Sequence, residues 1–141
     1  MDLQEGQRKY DYPKKRVYSK TLNPEQTYLR KIYTVQKCDA NPNHRNIFWD
    51  LTFEQWSDLV QQKCHVCGAE PVLREGKVHM VAGTRVPING IDRVVNSKGY
   101  TLDNVRPCCS TCNYMKHKLN DDEFLAHIQK IWRYNFANLQ I

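Results

Sequence analysis

Apolar residues recur with a helical rhythm in three stretches of the chain. In the first, Tyr28, Leu29, Ile32 and Tyr33, extended by Gln36, fall on one face, the spacing of a half-buried helix. Asn23 predicts its start. The side chain can cap, Pro24 suits the first helical position, Glu25 favours the positive end of the helix dipole, and Gln26 sits three residues after the cap. Arg30, Lys31 and Lys37 fall elsewhere around the same helix. Asn41 to Asn46 reads as a turn and Ile47 to Trp49 as extended chain. The second stretch opens with a capping box, Thr52 with Gln55, ahead of the stripe Phe53, Trp56, Leu59 and Val60. The third opens at Asn120, with Glu123 completing its box, and Phe124, Leu125, Ile128, Ile131 and Trp132 are expected in the core.

Between these helices the pattern changes. Gly68 to Pro71 turns the chain, and residues 72–88, with weak alternation at Val78, Met80 and Val86, read as a hairpin or loop. Ile91 to Val95 is short, rich in β-branched residues and bounded by turn signals, which predicts a strand. Asn96-Ser97-Lys98-Gly99 is a turn, and Ser110 to about Leu119 predicts a short helix. Helices flanking a strand, turn, strand and helix make an α+β fold.

Composition narrows the class. A chain of 141 residues with 40% hydrophobic content and a mean hydropathy of −0.73 has a small core, and a small core gains from a metal staple. No run of about 18 apolar residues exists, so no membrane span is expected. Met1 to Tyr10 is polar and charged, unlike a secretory leader, so a cytoplasmic setting is expected, where thiols stay reduced. The net charge of +6, from 21 basic and 15 acidic residues, points to a polyanionic partner, and nucleic acid is the usual one. Residues 1–20 read as a flexible basic arm, interrupted by Pro13 and carrying Lys14-Lys15-Arg16.

The cysteines supply the chemistry. Cys64-His65-Val66-Cys67 and Cys109-Ser110-Thr111-Cys112 are paired Cys-x-x-Cys knuckles. Four thiolates in that pattern can enclose a tetrahedral Zn²⁺. Cys108 is an alternative to Cys109, but the Cys-x-x-Cys register and the position of Asn113 favour Cys109. His65 is expected to be exposed and not a ligand. Cys38 lies outside both knuckles and reads as a free, partly buried thiol. The metal would clamp the intervening chain, which carries Asn89-Gly90-Ile91-Asp92-Arg93, Gly99-Tyr100, Asn104-Val105, and then Asn113 and Lys116. Asp92 is a hard oxygen donor suited to Mg²⁺, and the Asn113 side-chain oxygen can be a second.

Taken together, the segment Asn89–Lys116 resembles the HNH, or ββα-metal, endonucleases. It is most similar to the phage and homing type, through Gly-Ile-Asp-Arg, Gly-Tyr, Asn-Val, Pro-Cys-Cys and Cys-Asn-x-x-Lys in that order. The resemblance extends over about residues 45–130 and implies a metal-dependent DNA endonuclease that hydrolyses phosphodiester bonds. It implies that Asp92 binds a catalytic Mg²⁺ or Mn²⁺, Asn104 holds the loop, Asn113 completes the metal site and Lys116 meets a phosphate. It also implies that Cys64, Cys67, Cys109 and Cys112 hold a structural zinc. Residues 21–63 would then be a helical DNA-binding region and 64–141 the zinc-bound nuclease unit, acting on DNA as a monomer or homodimer. A phage source would place it in the host cytoplasm.

One departure from the family pattern matters. A His acting as general base usually follows the Asp, and here Arg93 stands in that place. Arginine stays protonated and is a poor base, so Arg93 is expected to grip phosphate. His79, His117 or metal-bound water remain as candidate bases. A zinc-containing nucleic-acid-binding module without catalysis is the alternative reading, and the missing His is its best support.

Overall fold

The structure, a computed structural model, describes residues 23–74, 83–137 and 139. The basic arm, Val78, His79 and Met80 lie outside the described residues.

The first helix, α1 (Pro24–Asp39), starts where the capping pattern placed it, with Asn23 Oδ1 accepting from the Gln26 amide at 2.8 Å. Its stripe buries Tyr28, Leu29 and Ile32. Gln36, polar on an apolar face, accepts a 2.8 Å hydrogen bond from the indole Nε1 of Trp56. That bond satisfies a donor which burial would otherwise strand. A two-residue strand β1 (Trp49–Asp50) follows, then α2 (Phe53–Val60), whose Thr52–Gln55 capping box is fully formed. Trp56 and Val60 are completely buried against α1 and the hairpin beyond.

The hairpin is β2 (Gly90–Arg93) against β4 (Val105–Cys108), antiparallel, with Asp92 opposite Arg106 and Arg93 opposite Val105. Strand β3 (Tyr100–Thr101) lies between them in sequence but pairs in parallel with β1, Trp49 opposite Tyr100. This pairing sets Gly99 against Phe48, where a Cβ would stand 2.5 Å from the Phe48 carbonyl oxygen. The predicted strand Ile91–Val95 is therefore shorter and begins one residue earlier. Asn104 explains the early stop. Its Oδ1 accepts from the Val95 amide at 2.9 Å, and its Nδ2 donates to the carbonyls of Gly99 at 2.9 Å and Val95 at 3.2 Å. These bonds replace the ladder with a side-chain clasp over the loop.

Strand alternation divides the hairpin into two faces. Ile91 and Val105 join Tyr28, Leu29, Ile32, Trp56, Val60 and Ile88 in one core, so the N-terminal helices and the hairpin share a single hydrophobic interior. Asp92 and Arg106 take the opposite face, toward α3 (Ser110–Lys116) and the cysteines. Of the stretch read as hairpin or loop, residues 72–74 and 83–88 are described, and Val72 forms an antiparallel bridge with Ile88.

The last helix, α4 (Asp121–Phe136), has the expected Asn120–Glu123 capping box, but its stripe is not core. Only Phe124 is buried. Leu125, Ile131 and Trp132 are 54%, 46% and 53% exposed. Ile128 is half-buried, and the other predicted core residues beyond Phe124 are exposed. No helix among the described residues is long and apolar enough to cross a membrane.

Candidate metal centre and nucleic-acid cleft

The four knuckle cysteines converge. The Sγ atoms of Cys64, Cys67, Cys109 and Cys112 all lie within 4.8 Å of one another, and Cys67 and Cys109 are 3.7 Å apart. Tetrahedral zinc, with Zn–S near 2.3 Å, separates its sulfurs by about 3.8 Å, so the donor set fits zinc in type and spacing. Cys109 caps α3, accepting from the Cys112 amide at 3.4 Å. Burial pushes the Cys64 thiol up, but hydrogen bonds with backbone at Cys109, Cys67 and Val66 outweigh it and bring it down to about 6. The neighbouring Cys108 is fully buried beside the cluster, and burial first, then nearby Cys64, pushes its thiol up to about 12. It is not one of the four, in line with Cys109 as the ligand.

Asp92, expected at a metal, sits among cationic side chains in this structure. Its carboxylate is 7% exposed, and its Oδ2 accepts from Lys116 Nζ at 2.7 Å. Arg106 Nη2 is 3.4 Å from the same oxygen and His65 Nε2 is 3.6 Å away. Asp121, at the first turn of α4, joins the group. It lies 2.7 Å from Arg106 Nη1 and 3.2 Å from Lys116 Nζ. Arg106 first, then Lys116, hold its carboxyl down to about 2, against the opposing effect of burial. Lys116 is 1% exposed and also donates to the Arg93 carbonyl at 3.1 Å. The Lys116 ammonium, expected at a phosphate, is buried here and paired with two carboxylates. His65 is exposed as a residue, as expected, but its side chain is 20% exposed and its ring lies beside Asp92; burial lowers its pKa, which favours the neutral ring.

Asn113 faces elsewhere. It is exposed on α3 and lines a cleft of about 700 Å³ with Arg45, Arg93, Asn96, Ser110, Tyr114, His117 and Lys118. A second recess of about 320 Å³ shares Asn113 and Arg45 and adds Asp39, Arg74 and Tyr100, among others. Asp92 lines neither. The reason is the strand period, because consecutive residues of β2 point to opposite faces. Arg93 thereby goes to the cleft and Asp92 to the cluster behind it. Asp92 and Asn113 have different surroundings here, Asp92 in the buried ion-pair cluster and Asn113 on the exposed cleft.

The cleft is electropositive. Three cations line its larger part, with no carboxylate among the lining residues. In the second recess the carboxylate is Asp39, 3.4 Å from Arg45 Nη1. Arg93 stacks over the Tyr100 ring with its guanidinium carbon 5.2 Å from the centroid, and its Nη1 donates to the carbonyls of Asn96 and Lys98. Five guanidinium donors exceed those two bonds. Arg45 reaches the same ring from the turn after α1, donating to the Tyr100 hydroxyl at 3.2 Å. Sequence reasoning missed Arg45 as a cleft residue and gave Tyr100 no role in holding an arginine. The only signal for either was the short parallel β1–β3 pairing, which no local pattern announces.

Comparisons with known proteins agree with this fold. No family model matches the chain. It is 27% identical over 135 residues to the uncharacterized protein R423 of Acanthamoeba polyphaga mimivirus, covering 93% of this chain and 22% of that protein. It is 26% identical over 124 residues to YoqL, an SPbeta prophage-derived protein of Bacillus subtilis (strain 168) whose name marks it as a proposed HNH endonuclease. That match covers 86% of this chain and 51% of YoqL. The chain thus spans about half of one relative and less than a quarter of the other. Among solved structures it is similar to PacI, a rare-cutting HNH restriction endonuclease, with a TM-score of 0.51 at 19% identity, covering 75% of this chain and 80% of that one.

Proposed function

We propose that this chain is an HNH-type endonuclease acting on DNA, stapled by a structural zinc and cleaving phosphodiester bonds at the Asn113 cleft. The observation that carries the reading is the convergence of Arg45, Arg93 and Lys118 beside Asn113, on a helix-and-hairpin frame similar to that of an HNH nuclease. Backbone phosphates require cations at short range, and a cleft lined by one sign of charge concentrates the polyanion. Arg93 would hold the phosphate. Its guanidinium is oriented by Tyr100 and two loop carbonyls, so little conformational freedom is lost on binding. Arg45 and Lys118 would track the flanking backbone. His117 lines the cleft and is the candidate proton acceptor. Asn104 acts at one remove, fixing the loop whose carbonyls position Arg93. When bound, zinc supplies no chemistry at the phosphate and only ties the two knuckles together. The prophage and mimivirus sources of the relatives support a phage or viral setting.

One observation favours a second reading. Asp92, the carboxylate the family pattern assigns to the catalytic cation, is committed to Lys116 and Arg106. A module that binds nucleic acid without cutting it would look the same. Nicking of supercoiled plasmid by purified zinc-loaded protein, with Mg²⁺ or Mn²⁺ added, separates the two. Endonuclease activity predicts cation-dependent nicking that falls at least about a hundredfold in Arg93→Ala and is lost in Asn113→Ala. DNA binding without nicking under either cation would establish the second reading.

A further inference from the structure

Helix α4 is fastened to the molecule by its first turn. Asn120 caps it, Asp121 pairs with Arg106 and Lys116, and Phe124 is its buried residue. From there to Phe136 most of the apolar side remains in solvent, with Ile128 half-buried. Leu125, Ile128, Trp132 and Phe136 follow one another at spacings of three, four and four and form a continuous seam. Leu125, Trp132 and Phe136 are 54%, 53% and 44% exposed. A helix of this length is marginal in water by itself, and an apolar stripe of this extent marks an interaction surface.

The charges beside the seam identify what covers it. Asp122 and Arg133 are both exposed and lie on the same flank, about three turns apart. Exposed Glu123 adds to the acidic end and Lys130 to the basic end. We infer that the seam pairs antiparallel with the same seam of a second copy of this chain, about a two-fold axis near Ile128. In that arrangement Leu125 meets Trp132 of the other copy and Ile128 meets its own mate. Asp122 faces Arg133 across the flank, and the two-fold repeats the ion pair. Parallel pairing would set acidic turn against acidic turn and is disfavoured. An anionic ligand finds no cationic seam, because the seam itself carries no charge. The chain's own basic segment over residues 1–22 lacks an apolar stripe to match it.

Sedimentation equilibrium of the full zinc-loaded chain, from low to high micromolar concentration, tests this without reference to DNA or cleavage. The expected result is a monomer–dimer equilibrium that Trp132→Glu shifts to monomer while zinc content stays at parent level. Asp122→Arg and Arg133→Asp should each weaken the dimer about tenfold, since two attractive pairs become two repulsive ones. The combined Asp122→Arg/Arg133→Asp chain should return to within about twofold of the parent. A parent that is monomeric throughout would overturn the proposal, as it would if the seam were covered by another part of the same chain. So would a Trp132→Glu chain that dimerises like the parent, or a double reversal no tighter than the single ones.

Discussion

Replacing Asp92 by alanine distinguishes a structural counterion from a metal ligand. In the structure Asp92 neutralises Lys116, an ammonium that is 1% exposed and 2.7 Å away, and also faces Arg106. At an effective dielectric near 20, a pair at that separation gains about 6 kcal/mol of gross Coulomb energy. Desolvation of both groups offsets much of this, and breaking a buried pair from one side typically costs about 3–5 kcal/mol. Lys116 would retain Asp121 at 3.2 Å and the Arg93 carbonyl at 3.1 Å, which reduces the expected loss to about 2–3 kcal/mol. For a domain of this size that lowers the melting temperature by about 7–10 °C. The assay is thermal unfolding at pH 7 with zinc kept saturating, for Asp92→Ala, Lys116→Met and the pair combined. If the two side chains form one unit, the combined variant should be less damaged than the sum of the single ones by at least about 1 kcal/mol. An Asp92→Ala chain that melts like the parent yet has lost a bound divalent cation would refute the reasoning and restore Asp92 to the metal site.

Two further outcomes follow from local geometry. Gly99→Ala should cost about 2 kcal/mol or more, because the new Cβ would stand 2.5 Å from the Phe48 carbonyl oxygen and 2.7 Å from the Phe48 Cβ; denaturant unfolding with a midpoint equal to that of the parent would show that β1 and β3 can separate freely. Asp121 contributes through its depressed pKa of about 2 against an ordinary 3.8. Its stabilising effect is complete above about pH 4 and is lost as pH falls from there toward 2; with the carboxylate about a third exposed, solvent screening leaves it worth about 1 kcal/mol. The melting difference between parent and Asp121→Asn should therefore shrink as pH falls from about 4 toward 2, and a difference that persists undiminished at pH 2 would show that the Asp121 carboxylate is not the group responsible.

What could be read from the sequence, and what could not, divides along the range of the forces involved. Helix starts were legible because a cap is a contact between residues three apart, as Asn23, Thr52 and Asn120 all show. The sulfur cluster was legible because each knuckle presents two ligands by itself, leaving only one long-range coincidence to assume. Period alone could not say whether the α4 stripe meets a partner within the chain, so Trp132 read as core when it is surface. The site was harder still. Neighbouring letters Asp92 and Arg93 look like a unit in sequence, but a strand sends them to opposite faces. A pattern-based role for Asp92 also takes no account of Lys116, which matches the family motif 24 residues further on and is folded back onto it. A buried ammonium must be neutralised by whatever carboxylate lies nearest, and here that requirement claims Asp92. Arg93 then becomes the only residue of the Asp-Arg pair that reaches the cleft. An arginine in the position where the family carries a base is consistent with this, because the position is left to bind charge rather than to take a proton.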